Sequence, residues 1–235
     1  MARRRIRTRR SNHAAGEKRL ARLIARLLAA QRKRILAAAG FQKQGTPIQP
    51  GFWDEENQRM TQEVRGLLVV LAMAAADVSL DELEVGGVDL AVVHRRILDW
   101  AGIYSFELVS GINDTTRAVI ENALRQFYEI EGMTRQDFVD MISPSFGAAR
   151  AEMIAVTETT RAYNEAHRET MEEIAAAGFE MVNYWQTSKD ELVCAEFQGG
   201  PGCSQRDGLP EEDWPTKDWP PLHVNCRCDV ASSLA

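Results

Sequence analysis

The sequence predicts a mainly α-helical protein that ends in a small α+β, loop-rich C-terminal unit, a candidate for stabilisation by zinc. Three observations carry this. Apolar residues recur at helical spacing over most of the chain as far as Ala177; the pattern changes only after Gly178; and all four cysteines follow Val193. A chain of 235 residues buries one sizeable core and has room for a second, small one.

The elements follow in order. From Glu17 to Ala39, Leu20, Leu23, Ile24, Leu27 and Leu28 form an apolar stripe between arginines, with Gly40 as the expected C-cap. Gln44 to Gly51 carries two prolines and two glycines and reads as a linker. A helix from Asp54 to Ala76 places Met60, Val64, Leu67, Leu68 and Leu71 inward, its second half almost wholly buried. After Gly86-Gly87, a helix from about Asp89 to Ala101 turns Leu90, Val93, Ile97 and Leu98 inward, with His94 at its boundary. Asn113 or Asp114 caps another helix that ends near Ile130. Thr134 and Asp137 form a capping box for a short helix closed by Ser143-Pro144. A long helix runs from Gly147 to Ala177 and stops at Gly178, then Met181 to Trp185 read as a strand and Gly199 to Gly202 as a turn. Residues 1–45 therefore form a basic arm and amphipathic helix, residues 46–147 a helical domain, and residues 148–235 a long helix joined to the cysteine-containing unit.

The net charge of −6 hides a division. Residues 1–43 hold 14 Lys and Arg against Glu17 alone, or +13, which leaves 14 basic and 33 acidic residues, or −19, for the remainder. Arg3, Arg4, Arg5, Arg7, Arg9 and Arg10 have almost no apolar company, so the head is expected to be disordered when free and to bind nucleic-acid phosphates without base readout. The alternatives are a tail that folds back on the acidic body, an organelle transit peptide and a nuclear signal. A secretory signal is not expected, because Arg22 and Arg26 interrupt the nearby apolar stretch. No membrane partner is expected either: the longest uncharged apolar run, Gly66 to Ala76, is too short to span a bilayer.

Cys194, Cys203, His223, Cys226 and Cys228 are the candidate metal ligands, since thiolate and imidazole suit tetrahedral zinc and a loop-rich unit needs a cross-link. Eight residues separate the first two cysteines and one separates the last two, unlike the common zinc knuckle. Reduced thiols beside a closing strand, and a disulfide pair in an oxidising compartment, are the other readings.

On the long helix, Thr157, Arg161 and Asn164 share one face at i, i+4 and i+7, and Glu158 pairs with Arg161 at i, i+3. Such a stripe either faces solvent or satisfies the backbone of a neighbouring loop. It is followed by Trp185-x-Thr187-x-x-Asp190-x-x-x-Cys194 and then by Pro220-Pro221-x-His223-x-x-Cys226-Arg227-Cys228. This series resembles the phage head morphogenesis family typified by the F protein of phage Mu, the minor head or minor capsid proteins, over about residues 117–232. The family-motif residues are Thr157, Glu158, Arg161, Asn164, Trp185 and Asp190. The resemblance makes residues 148–235 a Mu F-like domain. It implies a non-enzymatic phage or prophage component, placed in the virion head and in the bacterial host cytoplasm during assembly, with portal and capsid proteins as partners and packaged DNA as a contact of the basic arm.

No catalytic residues are expected, because His13, His94, His167 and His223 are the only histidines and none has a second histidine close in sequence. The runner-up is a non-sequence-specific DNA-binding protein with a structural zinc module. Against it, residues 178–230 carry Lys189, Arg206, Lys217 and Arg227 among ten acidic residues, a balance that repels phosphate and suits a protein partner. Trp214 and Trp219, each flanked by Asp and Pro, either anchor such a partner or form the core of the small unit.

Overall fold

The computed structural model describes residues 2–39, 48–83 and 85–235, with side chains described from Asn12 onward apart from Pro50 and Glu82. The first helix, α1, spans Ala2–Ala38. The head expected to be disordered is thus helical in its backbone, because arginine is a good helix former and a helix nucleated elsewhere propagates at little cost. Gly40 and residues 44–47 of the expected linker lie outside the described residues. Pro50 and Gly51 instead open α2, Pro50–Leu83, where a proline's missing N–H is no loss.

The two helices expected between Asp89 and Ile130 are one, α3, Leu90–Glu129, capped by Asp89, which accepts the Ala91 N–H at 2.9 Å. Asn113 is therefore not a cap. It sits 2% exposed in mid-helix, where it accepts from Gln31 Nε2 at 2.7 Å and donates to Asn57 Oδ1 at 2.6 Å. That polar bridge ties α1, α2 and α3 together, which sequence reading of a single helix cannot see. Leu98 also departs from expectation: it is 40% exposed, and Val70 on the second half of α2 is 47% exposed.

The short helix α4, Arg135–Ile142, has the expected capping box between Thr134 and Asp137. A 3-10 turn over Ser143–Phe146 leads into α5, Ala148–Ala176. Gly178 takes φ +93 and closes α5, a backbone conformation that favours glycine. α5 is the central helix. Its buried Ala151, Ala155, Thr159, Ala162 and Ala166 are small enough to let α1 and α2 approach closely. One apolar cluster joins Leu20, Ile24, Leu28 and Ile35 of α1, Met60, Val64 and Leu68 of α2, Val93, Ile97 and Ile120 of α3, and Phe138 of α4 to this face. Residues from all three expected segments share that core.

After α5 the chain builds a separate small core. Strand β1, Met181–Gln186, pairs antiparallel with β4, Asp229–Leu234, in a register that sets Trp185 opposite Val230. Between them lie a two-residue hairpin, β2 Glu196–Phe197 and β3 Gly200–Pro201, and two 3-10 turns at Cys203–Gln205 and Glu211–Asp213. Trp185, Cys203, Trp214, Cys226, Cys228 and Val230 are the buried residues of this second core.

Candidate metal centre

The eight-residue gap between Cys194 and Cys203 is closed by the hairpin. Gln198 and Gly199 both take positive φ, 51 and 77, the handedness that lets a two-residue loop reverse a strand. The ends of the gap then meet: Ser204 N–H donates to Cys194 O at 3.0 Å, and Cys203 N–H donates to Cys194 Sγ at 3.3 Å. Gly202 makes the meeting possible, since a Cβ there would lie 2.5 Å from Cys194 O. A spacing unlike a zinc knuckle thus gives a knuckle-like approach.

His223, Cys226 and Cys228 arrive from the other side on the loop that follows Pro220-Pro221. Cys226 N–H donates to His223 O at 3.2 Å, and Asn225 takes φ 64 to turn the chain. His223 Nδ1 lies 2.8 Å from Val224 O. A carbonyl only accepts, so Nδ1 carries the proton and Nε2 presents its lone pair. That Nε2 is 3.6 Å from Cys203 Sγ, and Cys226 Sγ is 3.8 Å from Cys203 Sγ. Two donor sets result, Cys194 with Cys203 and His223, and Cys203 with Cys226 and Cys228, each with its donor atoms within 4.8 Å of one another. Cys203 belongs to both. The four cysteines are free thiols, and the 3.8 Å between the sulfurs of Cys203 and Cys226 is much longer than a disulfide bond. Hydrogen bonds from Cys203 and Cys228 hold the Cys226 thiol far below its ordinary range, and the bond to Cys226 together with burial pushes Cys203 up. The cluster favours one thiolate, a suitable seat for a cation.

The polar stripe of α5 holds this loop. Thr157 Oγ1 accepts the Asn225 N–H at 3.0 Å while donating to Met153 O at 2.8 Å. Asn164 donates to Cys228 O at 3.2 Å and accepts the Val230 N–H at 3.2 Å. Glu158 faces the other way, accepting from Tyr104 OH at 2.6 Å and pairing with Arg161 at 3.4 Å. Trp185 is fully buried in the small core and Asp190 caps the next turn by accepting the Leu192 N–H at 3.0 Å. The stripe, the strand and the closing loop are one physical unit, and comparison with known families decides what kind. Residues 117–231 match the family described as Phage Mu protein F like protein. No curated protein and no solved structure matches the chain.

The Mu F-like region begins within α3 and ends in β4. The match is consistent with a phage head morphogenesis protein, and that family is structural, not enzymatic. All five candidate ligands and all six motif residues lie within it, as do both tryptophans proposed as partner anchors.

Trp214 must be corrected in that role. It is 4% exposed, packs edge-on against Trp185 at 5.2 Å, and spends its N–H on Leu209 O at 2.9 Å. It is a core residue of the Mu F-like unit, because a loop with few other apolar residues must bury its indoles. Trp219 is half-buried beside Trp214, its N–H donated to Glu211 Oε1 at 3.0 Å.

The side chains of Arg3, Arg4, Arg5, Arg7, Arg9 and Arg10 lie outside the described residues. Further along α1, Arg26 pairs with Glu63 and Arg34 makes a bidentate bond to the fully buried Glu56, so the basic helix packs on the body. Lys18, Arg19, Arg22 and Lys33 are exposed with no carboxylate partner among the described residues. No described helix is long and apolar enough to cross a membrane.

Sequence reasoning missed His167. It is 2% exposed and links Ser79 of α2, at 2.8 Å from Nδ1, to Ser232 of β4, at 2.8 Å from Nε2. The signal was available: His167 continues the face of Thr160 and Asn164 at helical spacing. Arg206 was missed as well. It stacks over the Trp185 ring at 5.2 Å and bonds Thr216, acting as packing for the small core.

Proposed function

We propose that this protein is a minor head protein of a phage or prophage, acting in head morphogenesis with capsid-related partners, the portal among them, and residing in the virion head after assembly in the host cytoplasm. The observation that carries the reading is the match of residues 117–231 to a family of head morphogenesis proteins. The fold supports it: polar groups of α5 hold a loop-rich unit in place. Co-purification of the full chain with the portal of the same phage tests it, with a stoichiometric complex expected and separate elution of the two proteins as the result that rejects portal association.

We further propose a structural zinc ion in the Cys/His cluster. Tetrahedral zinc with Zn–S of about 2.3 Å and Zn–N of about 2.05 Å sets sulfurs about 3.8 Å apart and sulfur about 3.6 Å from nitrogen. The distances of 3.8 Å between Cys203 and Cys226 and 3.6 Å between Cys203 and His223 fit both. Cys203, with Cys194 and His223 on one side and Cys226 and Cys228 on the other, would hold the ion; it would cross-link a unit whose apolar core is small.

The basic N-terminal arm is proposed to contact packaged DNA, supported by its charge of +13 and by the exposed Lys18, Arg19, Arg22 and Lys33, which have no carboxylate partner among the described residues. Each phosphate contact contributes about 0.9 to the slope of log affinity against log salt, so deleting residues 1–11 should flatten that slope for duplex DNA. An unchanged slope would place binding elsewhere.

A further inference from the structure

Between the basic head and the apolar part of α1 lies a stretch held almost entirely by polar contacts. From Asn12 to Arg19 no large apolar side chain is buried; Asn12, Ala14, Ala15, Lys18 and Arg19 are exposed. Gly16 is buried, and its missing side chain permits the approach, since a Cβ there would meet Leu71 Cδ2 at 2.9 Å and Thr159 Cγ2 at 3.2 Å. Among the described residues, two side chains attach the stretch. His13 sets its ring edge on Tyr163 at 4.9 Å and lies 3.3 Å from Thr160 Oγ1, and Glu17 accepts from Arg227 Nε at 2.9 Å. His13 Nδ1 is itself 3.4 Å from Glu17. From Leu20 onward the hold is apolar, through Leu20, Ile24, Leu27 and Leu28.

Arg227 stands between two candidate metal ligands, Cys226 and Cys228, and its other contact is Asp190, at 3.9 Å, four residues before Cys194. Its guanidinium therefore holds its place only while the closing loop and the loop before Cys194 hold theirs. We propose that Arg227 is a positioning residue through which the metal centre latches residues 12–19 of α1 onto α5 and so fixes the direction in which the basic head leaves the body.

The inference rests on zinc occupying the cluster. Ordering that loop ties down the backbone on both sides of Arg227 and leaves the guanidinium fixed over Glu17 at little further entropic cost. Without the ion, the loop loses a cross-link and is held by its hydrogen bonds to Thr157 and Asn164 and by the burial of Cys226 and Cys228, and the Glu17 contact weakens with it. By reciprocity, whatever factor the metal adds to the hold on residues 12–19, that hold adds to metal affinity.

Amide hydrogen exchange on the full chain, read by mass spectrometry together with elemental analysis, tests this. Removing zinc should raise exchange of residues 12–19 about fivefold or more, the lower end of typical coupling, while Leu20–Ala38 stays protected. In zinc-loaded protein Arg227→Ala should raise exchange of the same segment with zinc content unchanged. Glu17→Gln, which lies away from the ligands, should do likewise if the Arg227 variant folds poorly. Equal exchange of residues 12–19 in loaded and stripped protein, or no effect of either substitution, overturns the latch while leaving zinc binding intact. A chain that takes up no zinc overturns both readings.

Discussion

Asn164 closes on the backbone around Cys228: its amide donates to the Cys228 carbonyl at 3.2 Å and accepts the Val230 N–H at the same distance. One side chain on α5 thus satisfies two backbone groups that flank a candidate ligand and the start of β4. Replacing Asn164 by Ala takes this donor from the Cys228 carbonyl and leaves the Val230 N–H to Asp229 Oδ1 at 2.9 Å, at about 1–3 kcal/mol. Urea unfolding should show that loss, and a loss below about 0.5 kcal/mol would mean that water replaces the amide freely.

The two donor sets share Cys203, which ranks the cysteines. Cys203→Ser breaks both sets and should abolish stoichiometric zinc, whereas Cys194→Ser or Cys228→Ser each leaves the other set of three complete and should only weaken it. Gly202→Ala, with its Cβ forced to 2.5 Å from Cys194 O, should weaken zinc without removing any ligand. Competition with a chromogenic chelator measures all four. Equal affinity in the Cys203 and Cys194 variants would contradict the shared position.

Glu158 supplies a pH dependence. Burial pushes its carboxyl above the ordinary 4.5, against the opposing bonds from Tyr104 and Arg161. The folded state then holds the proton more tightly than the unfolded chain, so stability falls as pH rises from about 4.5 through the raised folded value. Glu158→Gln should remove that component, giving a flatter profile above pH 4.5 in denaturant titrations. A wild-type profile that instead rises by the same amount over this window would reject the shift.

Trp214 and Trp219 should separate on substitution. Trp214→Ala opens a cavity in a core of few residues and should cost about 3–5 kcal/mol, enough to melt the small unit. Trp219→Ala, on a half-buried ring, should cost less and leave the unit folded. Near-ultraviolet circular dichroism reports both, and a folded Trp214→Ala protein would return that indole to the list of partner anchors.

Local patterns in the chain were enough for much of the fold. The apolar stripe of α1, the capping box of Thr134 and Asp137, the stop at Gly178 and the strand at Trp185 are each written within a few residues, because caps, periodicity and left-handed turns are local effects. The order of the stripe, the Trp185 segment and the closing Cys/His motif was likewise legible, and with it the family that residues 117–231 match. What tertiary structure alone decided is where each polar side chain spends its bonds. Asn113 could cap a helix in sequence, yet in three dimensions Gln31 and Asn57 hold it in the middle of one. Cys194 and Cys203 looked too far apart until a hairpin joined them, and Trp214 was ambiguous until Trp185 covered it. His167 and Arg227 find partners 88 and 210 residues away. Separations of that length leave no local pattern, because the energy of such a contact depends on burial and approach that exist only once the helices have packed.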